Sequence, residues 1–268
     1  MVRKNFLFDK SYHQYWKSTV KKSIDGTIIA GSNQVDYFLK KIKIIKNHKI
    51  LDLGCSNGRM FGCLSNYSNF IYGSDIDQFA INEAKKKKYV KVKKSSAENI
   101  TFPKSFFDIV FCWAVFDVVD QGRSLKSIYK VLKKDGLVII TGKNDNYLAN
   151  DKLAFQAEKN AYQKKFPNKF TKLYNLINFS NSIGFEKVNL LLFKKRGDIG
   201  NLKYFRVKKI NKNIQCYEFL LILKKTEIKK KLKLQNIILS SNISQTANQL
   251  SKKYKFKNTK EFFKNEKS

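Results

Sequence analysis

Five short apolar runs alternate with helix-forming stretches, and that alternation leaves few folds open. The runs are Lys49–Leu53, Phe70–Asp75, Tyr89–Lys93, Phe107–Cys112 and Gly136–Thr141. Helical stretches lie between most of them, at Met60–Leu64, Asp77–Lys86 and Ser124–Lys133. Strand and helix in turn, with short connections, predict a parallel sheet covered by helices on both faces. After Thr141 the alternation breaks. Helical signals run from Lys152 to Lys164, and a further helix from Lys172 to Ile183 stops at Gly184. The apolar runs Val188–Phe193 and Cys216–Leu223 read as the last two strands, one of them antiparallel at the sheet edge. The expectation is an α/β protein: a doubly wound, mostly parallel sheet of seven strands in three α/β/α layers.

The flanks divide the chain. Residues 1–47 read as an amino-terminal helical cap, in which Val35, Phe38, Leu39, Ile42 and Ile45 recur at helical spacing. Ahead of them stands an aromatic cluster of Tyr12, His13, Tyr15 and Trp16. Residues 48–224 form the expected domain, with 143–171 as an insertion. Residues 225–268 form a basic tail of weak helices and a frayed end.

Charge bears on partners. Lys and Arg number 54 against 21 Asp and Glu, a formal net charge of +33. Such a surplus suits a polyanion or an anionic membrane. Crowding by Lys, Ile, Asn, Phe and Tyr, with only 2 Pro, also fits drift in base composition. Lys229-Lys-Lys231, with Ile228, Leu232 and Leu239, is either a solvated tail or a peripheral membrane contact. The cysteines, Cys55, Cys63, Cys112 and Cys216, form no Cys-x-x-Cys pair, and the histidines are His13 and His48 alone. No metal site is expected, and the cysteines read as reduced thiols of a cytoplasmic protein. No apolar run is long enough to span a membrane, and Met1–Lys10 lacks a long apolar signal segment.

The segment richest in chemistry is Ile50-Leu-Asp-Leu-Gly-Cys-Ser-Asn-Gly58, a strand running into one glycine with a second opening a helix. Open parallel sheets bind ligands beyond the carboxyl ends of their strands. Glycine there lets backbone approach a ligand closely. A nicotinamide dinucleotide needs Gly-x-Gly-x-x-Gly, but the matching positions are Gly54, Ser56 and Arg59. Asp52, at the strand end, would repel a pyrophosphate and attract an ammonium group. S-adenosylmethionine carries such an ammonium. Asp75 ends the next strand, 21 residues beyond Gly54, where a carboxylate accepts ribose hydroxyls. Asp77, rather than Asp75, is the better cap for the helix that follows.

Residues 49 to about 142 resemble a class I S-adenosylmethionine-dependent methyltransferase with a Rossmann-like sheet, close to the methyltransferase type 11 domain. Asp52–Gly58 resembles the first motif and Gly73-Ser-Asp75 the second. Ser96–Pro103 resembles the adenine-flanking segment, Phe107–Val110 the fourth strand, and Val131–Val138 the turn into the fifth. The resemblance implies S-adenosyl-L-methionine as cofactor. It implies contacts from Asp52, Gly54, Cys55, Ser56, Gly58, Asp75, Ile76, Ser96, Ala97, Glu98, Cys112 and Trp113. Ser96 stands where the family often has Asp, so the adenine contact leans on the Ala97 amide or on Glu98. The family's Lys-Pro-Gly-Gly turn is Lys133-Lys-Asp-Gly136 here.

Methyl transfer to a hydroxyl needs alignment and a base near its proton. Candidate bases rank His13, Asp145, Asp117. The first comes from the amino-terminal segment that often covers the cofactor in relatives; Asp117 stands beside Val118, which takes the place of a frequent family histidine. The Asn/Asp-Pro-Pro-aromatic motif of base amino-methylation, the Pro-Cys pair of cytosine-C5 enzymes and a full Lys-Asp-Lys-Glu ribose set are all missing. Weight therefore falls on a small molecule or glycan precursor, methylated at oxygen. Lys143-Asn-Asp-Asn146 offers hydrogen-bonding groups that suit a polyhydroxylated acceptor, and Tyr162, Phe166 and Phe170 are candidate walls. The alternatives are an RNA methyltransferase using its basic surface and a non-catalytic cofactor-binding partner subunit.

Overall fold

The computed structural model describes residues 32–88, 90–164, 166, 168–227, 237–255, 257 and 259–264, together with 14, 17, 18 and 21. His13, Tyr12, Tyr15 and Trp16 lie outside the described residues, as does the run Lys229–Lys231.

The chain alternates as its apolar pattern dictates. Helix α1 (Ser32–Leu39) precedes β1 (Lys49–Leu53), α2 (Phe61–Ser65), β2 (Phe70–Asp75), α3 (Gln78–Lys85) and β3 (Val90–Lys94). Next come β4 (Phe107–Cys112), α4 (Gln121–Val131) and the long β5 (Leu132–Lys143). Helix α5 (Lys152–Gln163), β6 (Lys169–Thr171) and α6 (Leu173–Ser182) lead to β7 (Phe185–Phe193), β8 (Phe205–Arg206) and β9 (Glu218–Lys225). The described chain ends with β10 (Ser240–Asn242), α7 (Ile243–Lys253) and α8 (Thr259–Lys264).

The main sheet has the order β3-β2-β1-β4-β5-β9-β7-β8. Strands β1 to β5 pair in parallel. Seven of the eight strands are the expected ones; β8 adds two residues at the rim. The antiparallel strand is β9, which lies between β5 and β7 and runs against both, one place inside the expected edge. The reason is connectivity. The chain leaves β7 at the upper rim and returns beside it without a crossover helix, and such a return forces opposite directions.

Side chains alternate between two layers. On one face Ile50, Ile71, Ile109, Phe111, Ile139 and Leu220 pack under α1, α2 and α3. On the other, Leu51, Tyr72, Val110, Val138 and Leu221 pack under α4 and α6. A third cluster joins the 143–171 segment to the chain's end: Tyr147, Phe155 and Phe170 pack with Ala247, Leu250 and Phe262. There β10 pairs antiparallel with β6 in a separate two-stranded sheet. Among the described residues, no helix is long and apolar enough to cross a membrane.

Candidate active site

The strand order reverses at β1: β2 and β3 lie to one side, β4 and β5 to the other. The crevice between β1 and β4 is thus the switch point where such sheets bind ligands. The segments expected to hold the cofactor flank it.

Gly54 and Gly58 take φ of +77° and +75°, a region costly for side chains. A Cβ on Gly54 would stand 2.3 Å from Val115 Cγ2, so backbone and space both demand glycine. The N–H groups of Gly54 and Cys55 donate to the Ser74 carbonyl at 2.7 and 3.0 Å, which fixes the bend against β2. Ser56, at φ +51°, donates its N–H to Asp75 Oδ2 at 2.9 Å. The Asp77 N–H donates to Asp75 Oδ1, also at 2.9 Å. Asp75 is therefore fixed by two backbone donors, with lone pairs left on each oxygen. Burial raises its pKa despite those donors. Asp77 caps α3 by accepting from the Ala80 N–H at 2.8 Å, which frees Asp75 from that role.

Asp52 is 3 % exposed, and its Oδ2 has no hydrogen-bond partner. Desolvation pushes its pKa to about 7, against the pull of Arg59. A buried acceptor without a donor is costly. A bound ammonium group would supply the missing donor and charge, so the residues present fit S-adenosylmethionine.

Other predicted contacts divide by position. The Cys55 and Cys112 side chains belong to the two cores, and burial pushes both thiols up. Cys55 thus offers the crevice its backbone rather than its sulfur. Ile76 lies between the anchored Asp75 and the cap Asp77. Ala97 is buried, Ser96 bridges to Asn99, and Glu98 Oε1 accepts the Asp120 N–H at 2.8 Å, anchoring the start of α4. Trp113 stacks on Phe111 with centroids 5.7 Å apart and tilts against Phe38 of α1.

Beside this cradle lies a cavity of about 260 Å³, with Gln34, Trp113, Asp117, Thr141, Gly200 and Glu218 among its walls. Gln34 Nε2 donates to the Gly200 carbonyl at 3.2 Å across one side of it. Ala114, at φ +57°, donates its N–H to Thr141 Oγ1 at 2.8 Å and sets Trp113 in place. Asp117 Oδ1 accepts the Lys143 N–H at 2.8 Å, and burial lifts its pKa to about 6. Behind the cavity, Lys143 Nζ pairs with Glu158 Oε1 at 3.0 Å, and Tyr217 donates to that oxygen at 2.6 Å. Arg196 Nη1 donates to the Tyr217 hydroxyl at 3.0 Å. Burial works against the Lys143 charge, but Glu158 and Asp117 outweigh it and raise its pKa.

Of the two candidate bases among the described residues, Asp117 is brought to this cavity and Asp145 is not. Asp145 Oδ2 is paired with Lys172 Nζ at 2.9 Å, an ion pair that ties the strand-five end to α6. His13 lies outside the described residues. Glu218 is the residue that strand-end reasoning misses. The rule looks at carboxyl ends, but β9 runs backwards, so its first residue stands at the same rim. The signal was one acid opening the apolar run Cys216–Leu223.

Comparison with known proteins agrees. Residues 51–140 match the family model of a methyltransferase domain. A demethylmenaquinone methyltransferase of Lactobacillus johnsonii is 32% identical over 147 residues, covering 51% of this chain and 58% of that protein. An uncharacterized methyltransferase of Bacillus subtilis is 25% identical over 134 residues, 47% of this chain and 52% of that one. The chain spans little more than half the length of these curated relatives. Among solved structures, a S-adenosylmethionine-dependent methyltransferase of Thermotoga maritima, described as a possible histamine N-methyltransferase, superposes with a TM-score of 0.59. It is 18% identical and covers 81% of this chain and 99% of its own, a likeness of fold. With the motif residues gathered at the switch point and the family model over the same strands, residues 51–140 carry a methyltransferase domain of class I fold, and its crevice fits S-adenosylmethionine as the cofactor.

Proposed function

We propose that the protein methylates a small molecule or glycan precursor at oxygen, with S-adenosylmethionine as donor. One observation carries this reading. A cavity of about 260 Å³, just below the ~300–1,000 Å³ range of small-molecule sites, adjoins the cradle and is lined by two carboxyl groups whose pKa values burial lifts to about 6 and about 7. Bound cofactor supplies an electrophilic methyl group on a sulfonium. The chain's own residues do the rest. Asp52 and Asp75 hold the two polar ends of that ligand. Trp113 offers an aromatic face to a cation. Asp117, held by the Lys143 amide, and Glu218 put carboxyl groups on the cavity wall, and a carboxylate with a pKa near the working pH suits proton removal from an acceptor.

A second reading, methylation of RNA, draws on the net charge of +33 and on the exposed lysines of α3 and β3. The cavity argues against it, because Asp117 and Glu218 would repel a phosphate there. The test is calorimetry with S-adenosylmethionine, followed by a screen of hydroxylated acceptors and RNA for release of S-adenosylhomocysteine. The expected result is micromolar cofactor binding, and turnover on a small hydroxylated acceptor that salt barely affects. Turnover on RNA alone, falling steeply with salt, would replace this reading with the second.

A further inference from the structure

Resting on that reading, we propose that Glu218 is the residue that takes the acceptor's proton. Three observations converge on it. First, Glu218 lines the cavity. It opens β9, opposite Lys143 of β5 and Phe193 of β7. Its neighbours two and four residues on, Leu220 and Ile222, belong to the layer under α1, so Glu218 stands at the rim of that same face. Trp113, Thr141 and Asp52 occupy the upper rim of that face too, by strand alternation from Phe111, Ile139 and Ile50. One face of one rim therefore carries Asp52 of the cradle, the aromatic wall and this second carboxylate.

Second, Glu218 Oε2 is buried and has no hydrogen-bond partner. Asp52 Oδ2 in the cradle and Glu158 Oε2 behind the cavity are also unmatched, but neither residue lines the cavity, and the carboxyls around it are otherwise engaged. Asp117 Oδ1 holds the Lys143 amide, Glu158 Oε1 holds the Lys143 ammonium and the Tyr217 hydroxyl, and Asp145 holds Lys172. A native structure rarely leaves a buried acceptor unmatched. An acceptor hydroxyl entering the cavity would supply the donor.

Third, the charges around Glu218 set its proton affinity where a base is useful. They are Asp117 after β4, Lys143 on β5, Glu158 on α5 and Arg196 after β7; Gln34 of α1 adds no charge. Desolvation and the repulsion of Asp117 outweigh the attraction of Arg196 and Lys143, and the pKa rises to about 7. In the reaction, Glu218 accepts the hydroxyl proton as the acceptor oxygen bonds the methyl carbon. The methyl–sulfur bond breaks with its pair kept on sulfur, and the carboxyl later returns the proton to solvent.

The test uses the full chain and Glu218→Gln, which keeps shape and removes the ionisation. An infrared difference titration needs no acceptor. Wild type should show a carboxyl band that fades through pH ~7, and the variant should lack that component. If the two titrate identically, the proposal falls. With the acceptor found by the screen, kcat at saturating cofactor should rise through the same pH range. The variant should lose that rise and about 10²–10³-fold in kcat, with cofactor affinity by calorimetry and melting temperature near wild type. Wild-type turnover and profile in the variant would overturn the role of Glu218 and leave the methyltransferase reading standing. Failure of wild type to bind S-adenosylmethionine would instead remove that reading. Asp117→Asn, whose Oδ1 still accepts the Lys143 amide but which removes the repulsion on Glu218, should keep the rise and move it to lower pH; loss of the rise in this variant would assign the proton to Asp117 and overturn the proposal.

Discussion

Asp75 does two jobs with one carboxylate. Its oxygens hold the Ser56 and Asp77 amides at 2.9 Å each, and their remaining lone pairs face the crevice where ribose hydroxyls would lie. Asp75→Ala removes both the cradle's brace and the ligand's acceptor. Hydrogen bonds to a charged group contribute about 1.5–3 kcal/mol. Cofactor affinity should therefore fall by roughly ten- to a hundredfold by calorimetry, and an unchanged value would show that the ribose lies elsewhere. This residue was legible in the sequence because its role follows from position at a strand end. Asp145 was not, because its partner Lys172 is 27 residues away and only the fold brings them together. Glu218 was hidden for a topological reason: nothing local says that β9 runs backwards, and direction alone decides which of its ends meets the site.

At the scale of elements, β1, β2 and β4 begin and end where their apolar runs do, because each lies between core layers. Strand β5 starts four residues before the predicted Gly136, at Leu132, through the hydrophilic stretch Lys133-Lys-Asp135. Pairing with Phe107, rather than apolar character, extends it. The carboxyl-terminal segment was the least legible. Ile243, Ala247 and Leu250 carry helical spacing, but the Ser, Gln, Thr and Asn between them and the lysine runs on either side obscure it. What fixes α7 in place is non-local: β10 pairs with β6, and a capping box between Asn242 and Gln245 starts the helix. Leu250 is 2 % exposed in the cluster with Tyr147, Phe155 and Phe170. Leu250→Ala should cost about 2–5 kcal/mol and lower the melting temperature by several degrees in a thermal scan. An unchanged melting temperature would mean that α7 does not brace the segment that follows β5.

On the scale of the whole molecule, a chain with a net charge of +33 carries its few acids where they are least comfortable. Burial raises the pKa of Asp52, Asp75, Asp117, Asp145 and Glu218, all near the crevice or just behind it. A carboxyl with a raised folded pKa binds its proton more tightly in the native state than in the unfolded chain. Its stabilising contribution is complete below the unfolded value and disappears as pH rises through the folded value. For Asp52, Asp117 and Glu218 the folded values are about 7, 6 and 7, so the loss falls between about pH 4 and 8. Asp36, Asp108 and Glu227, whose pKa values are lowered, lose their contribution only at more acid pH and do not cancel it there. The protein without cofactor should therefore melt at a higher temperature at pH 5.5 than at pH 8, at constant ionic strength. Cofactor should narrow the gap, because its ammonium stabilises ionised Asp52 and binds more tightly as that group loses its proton. A melting temperature that rises across this range, or a gap that cofactor leaves unchanged, would mean that these acids are solvated in the folded chain. The charge at the heart of the site would then have to come from elsewhere.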